Sequence, residues 1–162
     1  MLAEAPYLFS VAALSVTLAG FAGLVAAFRR GADWRAMDVF RLRETAEFGL
    51  GNALLALLVV PLSTTTGDLP TTLRICSALG AVIVVGGGLM LIRRHRRFGI
   101  PRDTGWYALA AAVDIGAIAS AVATALSGAF GFFEWELLFL LARPMLAFVL
   151  VLASLRHDAS AT

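Results

Sequence analysis

Five stretches of this chain are apolar for close to twenty residues at a time, and this repetition constrains the fold more than any other feature. They run from about Pro6 to Phe28, Thr45 to Leu62, Leu73 to Ile92, Trp106 to Ser127 and Phe132 to Ser154. At a rise of about 1.5 Å per residue, each is long enough to cross ~30 Å of hydrocarbon with some tilt. A barrel strand would alternate apolar and polar residues, whereas these runs are apolar on every face. A span surrounded by lipid must also satisfy its own backbone hydrogen bonds, which leaves the helix. The expected fold is an all-α integral membrane protein, one transmembrane domain over 1–162 built as a bundle of five helices. Composition agrees. The chain is 60% hydrophobic and 15% charged, with a mean hydropathy of +0.86. An average soluble domain is nearer ~45–50% and ~25%.

Direction is read from the arginines. All 13 basic residues are arginine, and eleven of them fall on one side of a five-span chain: Arg29, Arg30, Arg35, Arg41 and Arg43, then Arg93, Arg94, Arg96, Arg97 and Arg102, then Arg156. The connections on the other side, Ser63–Thr72 and Gly128–Gly131, carry no basic residue. The positive-inside rule places the N-terminus outside and the C-terminus in the cytoplasm. Met1–Tyr7 holds Glu4 and no base, which fits an external end and argues against a cleaved leader. Tyr7, Trp34, Trp106, Tyr107 and Trp135 all sit near a span boundary, where amphipathic rings prefer to lie. Trp34, Met37 and Phe40 recur every third residue among charged neighbours. That pattern makes the segment of about 31–44 an amphipathic helix on the inner leaflet or an extension of the second span. An Ala- and Arg-rich chain without lysine points to a bacterial inner membrane.

Several chemistries are excluded. One cysteine, Cys76, cannot form an internal disulfide, and two histidines outside the spans cannot hold a haem within them. Without lysine there is no Schiff base. No phosphate loop, metal-binding helix or nucleophile–base motif occurs, so neither an enzyme nor a metal or other cofactor is expected. Arg43, Glu47 and Asn52 resemble the arginine, glutamate and asparagine near the second span of glutathione-using membrane proteins. The likeness is short, and spacing and span count differ. The arginine clusters lie within a few residues of span ends, where they suit anionic lipid rather than nucleic acid.

Ionisable groups inside spans are the strongest pointers to a site, because each costs ~2.5–3.5 kcal/mol at mid-membrane unless paired or hydrated. Asp114 in the fourth span and Arg143 in the fifth qualify. Asn52 lies at a similar depth in the second span, with Glu44 and Glu47 at its inner mouth. Asp114, Arg143, Asn52 and Glu47 are expected to line a polar pathway in the inner half of the bundle. The competing expectation pairs Asp114 with Arg143 as a structural bridge. Glu44 and Glu47 also read as a solvated first turn that complements the helix dipole. Glu134 and Glu136 read as an acidic outer mouth.

Pro144 removes a backbone donor beside Arg143 and is a candidate hinge. Gly20 and Gly23, and Gly80 and Gly87, are candidates for close helix packing. These expectations describe a homo-oligomeric channel or permeation protein for ions, protons among them. The alternative is a scaffold or accessory subunit whose buried polar residues are structural and whose basic loops dock lipid or a protein partner.

Overall fold

The structure, a computed structural model, describes residues 2–28, 36–98 and 104–159 and is all-helical over them. The helices are α1 (Ala5–Phe28), α2 (Ala36–Thr66), α3 (Leu69–Phe98), α4 (Thr104–Ser127) and α5 (Phe130–Ala159). All five are long and apolar enough to span a membrane. Their apolar stretches match the five runs in the sequence. The amphipathic segment of about 31–44 corresponds, over Ala36–Glu44, to the first turns of α2. Its residues 31–35 lie outside the described residues, as do the arginines at 29, 30 and 102.

Two turns of two residues each join helices at one end, here the hairpin end. Gly67 and Gly128 both adopt φ of +68°, the left-handed conformation that ends a helix at no steric cost to glycine. The Gly128 amide donates back to the Thr124 carbonyl at 2.7 Å, and the Gly67 amide to the Ser63 carbonyl at 3.1 Å. Asp68 then caps α3, its Oδ2 accepting the Thr71 amide at 2.9 Å. Hydrogen bonding by the Thr71 side chain and, next, by its backbone amide holds the Asp68 carboxyl below the usual carboxylate range. The two turns pack on each other. A Cβ placed on Gly128 would lie 2.8 Å from Pro70 Cβ.

α5 is central, packing against every other helix, and α2 packs against α1, α3 and α5. α2 and α4 lie apart, with no backbone packing between them among the described residues. Large apolar side chains such as Phe9, Leu54, Val82, Ile115, Leu126 and Val149 point outward. Inside, Leu8, Val59, Leu73, Phe133 and Leu137 belong to one large apolar cluster. Two smaller clusters, around Ala22, Leu42 and Val151 and around Trp106, Ala110 and Ala147, lie towards the opposite end. Between them the interior is polar and charged.

Gly128→Ala is expected to destabilise the bundle by about 1–3 kcal/mol through left-handed strain and the clash with Pro70. Gly131→Ala, helical and facing open space, should be neutral or slightly stabilising. Denaturant unfolding in detergent, followed by circular dichroism, measures both. The Asp68 cap has a pH signature as well. A carboxyl whose folded value is lowered contributes stability above its unfolded value and loses it as pH falls through the folded one. Asp68→Asn should therefore flatten the acid limb of the unfolding midpoint against pH.

Candidate functional site

Each turn of α5 turns one stripe inward, and that stripe carries Phe133, Glu136, Leu137, Leu140, Arg143, Ala147 and Val151. Arg143 is the largest fully buried side chain, 1% exposed. A guanidinium in that position requires anionic acceptors on several sides, and two other helices provide them. Its Nε and Nη2 donate to Glu44 Oε1 of α2 at 2.9 and 2.6 Å. Its Nη1 donates to Asp114 Oδ2 of α4. The Phe48 ring closes a third side, 4.3 Å from the guanidinium carbon, a cation–π distance. Phe48 in turn lies against Gly87 of α3, where any side chain would collide with its ring. Three charged groups and one ring thus draw together α2, α3, α4 and α5.

The neighbouring turn of α2 extends the cluster. Thr45, fully buried, donates to the Arg41 carbonyl at 2.8 Å and stands 3.3 Å from the Pro144 carbonyl. Arg41 lies 5.7 Å over the Trp106 ring and 3.9 Å from Asp38. At Arg143 itself, one guanidinium faces two carboxylates, Glu44 and Asp114, which leaves one more acid than base. Burying such an excess in a low-dielectric interior is expensive. Glu44 Oε2, moreover, is buried without a hydrogen-bond partner. Access is uneven, since the Asp114 side chain is 21% exposed while that of Glu44 is 4%.

Asp114 and Arg143 are therefore brought together, as both sequence readings require. Asn52 and Glu47 do not join them. Asn52 lies two turns further along α2, where its amide donates to Ser15 of α1 at 3.1 Å and to the Leu137 carbonyl of α5 at 3.3 Å. Glu47 sits on the outward face and pairs with Arg43 at 2.6 Å, both well exposed. The group occupying the place expected for Glu47 is Glu44, which is buried rather than solvated. The reason is Arg143, whose positive charge faces it across the α2–α5 seam. The acidic outer mouth is also corrected in part, because Glu136 is 1% exposed and points into the bundle.

α5 continues as a helix through Pro144. Gly80 packs closely against Glu136 and Leu55, as Gly87 does against Phe48, while Gly20 and Gly23 face outward into open space. An apolar notch of about 400 Å³ opens between α1 and α2 near Gly23, Leu42 and Arg43, and none of the three central ionised groups lines it. Among the described residues, no three His, Cys, Asp or Glu side chains converge as a metal site.

No family model matches the chain, and no curated protein or solved structure shows significant similarity to it.

Replacing Arg143 by leucine leaves the buried Glu44 and the part-buried Asp114 without their counter-ion and is expected to cost about 3–5 kcal/mol. Replacing Glu44, Asp114 and Arg143 together by leucine should recover much of that loss, because no uncompensated charge remains. Glu47→Gln, at an exposed pair, should stay within about 1 kcal/mol of wild type. Unfolding in detergent distinguishes the three.

Proposed function

We propose that this chain is a multi-pass protein of a bacterial inner membrane that passes protons through its own helical bundle. The observation that carries the reading is the buried cluster at Arg143, in which two carboxylates share one guanidinium. Such a cluster completes its charge by taking up one further positive charge. A proton fits this role better than a hydrated ion, because it lands on a carboxylate oxygen without opening a cavity. Asp114, the more exposed carboxylate, receives the proton, and Arg143 stays paired with Glu44. Asn52 and Ser15 continue the polar line towards the hairpin end.

The N-terminus faces outward and the arginine-rich ends of the helices face the cytoplasm, where they anchor to anionic lipid. Gly20 and Gly23, on the outer face of α1, provide a surface on which copies of the chain pack as a homo-oligomer. A second reading, the scaffold, is favoured by one observation. Arg143 ties together two helices whose backbones do not pack on each other, which is what a purely structural bridge does. The buried network then serves stability, and a protein partner docks on the basic ends.

Flux through purified protein in liposomes separates the two. Imposed proton gradients should collapse faster with wild-type protein than in empty liposomes. Asp114→Asn, which keeps the side chain's size, should slow that flux by about tenfold, equivalent to ~1.4 kcal/mol of barrier. Sodium, potassium and chloride gradients should persist. Absence of proton flux from folded protein overturns the permeation reading and leaves the scaffold.

A further inference from the structure

Seven residues before Arg143, on the same stripe of α5, lies a second buried acid that the cluster does not use. Glu136 is 1% exposed. The two positions are roughly 10 Å apart along the helix axis, with Glu136 nearer the hairpin end. Ser77 of α3, itself fully buried, donates to Oε2 at 2.6 Å. The other oxygen, Oε1, is buried and has no hydrogen-bond partner. It occupies the space left by the missing side chain of Gly80, where a methyl group would collide with it and come within 3.0 Å of Leu55.

Among the described residues, the groups facing Glu136 provide no balancing charge. α3 presents Ser77, Gly80 and the neighbouring thiol of Cys76, also buried. α2 presents Leu55, while Asn52 is bonded to the carbonyl of Leu137, the residue after Glu136. From α1, Tyr7 bonds to the carbonyl of Glu134 rather than to Glu136. Arg74, one turn before Ser77, is on the exposed side, near Gly128. A carboxylate so placed would be a buried charge without a counter-ion, and buried acids in that position neutralise instead. The unpartnered oxygen and the glycine beside it also leave one atom of the carboxyl unengaged.

We propose that Glu136, with Ser77 as its hydrogen-bond donor and Gly80 as its cradle, is a second and reversible proton-binding site in the hairpin-end half of the bundle. Its place on a route to Arg143 rests on the permeation reading, whereas the binding of a proton there does not. The Ser77 hydroxyl holds the carboxyl in one orientation, leaving Oε1 as the oxygen that gains and loses the proton.

Infrared spectra of the full chain in liposomes, recorded from acid to alkaline pH, test this directly. A protonated-carboxyl band should be present at low pH and diminish as pH rises. Glu136→Gln should remove one component of that band, and Glu134→Gln should leave that component unchanged. Ser77→Ala should retain the component but move it to higher frequency, because the carbonyl loses its donor. That variant keeps the test decisive if Glu136→Gln does not fold. A spectrum with no titrating band assignable to Glu136, or a band indifferent to Ser77→Ala, overturns the proposal. A Glu136 band in protein that shows no proton flux upholds the site and removes the permeation reading. Flux without the band does the reverse.

Discussion

A guanidinium that water does not reach must find its acceptors within the protein, and this requirement organises the bundle around Arg143. Glu44 and Asp114 come from helices on either side of α5, which accordingly sits between them and touches every other helix. Displacing α5 would leave at least one ionised group buried alone, at a cost greater than most apolar rearrangements. The cation–π contact to Phe48 and the glycine behind that ring bring α3 into the same arrangement. The hairpin turns close one end of this assembly, and the apolar clusters fill the space on either side.

The exterior is apolar, unlike that of a soluble domain, and the interior combines apolar clusters with polar and charged groups. Hydrocarbon solvates leucine as well as a protein core does, so apolar side chains gain little by turning inward. Serine, threonine, asparagine and charged groups gain much more. Ser15, Thr45, Asn52, Thr72, Ser77 and Thr124 are accordingly buried, while many of the largest aliphatic residues are exposed. A large share of the specificity of helix pairing therefore resides in polar contacts, each fixing which neighbour and which turn a helix meets.

The five helices were legible because hydropathy over some twenty residues is a strong signal that needs no partner. Asp114 and Arg143 stood out for the same reason, as charges within apolar runs. Glu44 and Glu47 were harder to tell apart, since both follow arginines in a turn that looks amphipathic. A periodicity argument separates them. Glu44, Phe48 and Asn52 are spaced four residues apart and share one face, whereas Glu47 falls on another. Choosing Asn52 as inward-facing therefore selects Glu44, a step the residue-by-residue reading of depth does not take. Glu136 was hidden by its neighbourhood. Phe-rich and close to a turn, it sits where the end of a span and its first buried turn look alike in sequence. Only the glycine and serine of α3, distant in the chain, show that it faces inward.

The separation of α2 from α4 has a mechanical consequence. Both pack against α5 and α3 rather than on each other, and the links that reach across are a pair of ion contacts to one side chain and Arg41 over the Trp106 ring. Neutralising the α4 carboxylate leaves Arg143 and Glu44 as a balanced pair and removes one of the charged contacts that hold α4. Charge at a single oxygen is thereby translated into the freedom of a whole helix to slide or tilt. Because Asp114 is the group nearest the surface, that latch can be worked from outside the bundle without unpacking its core.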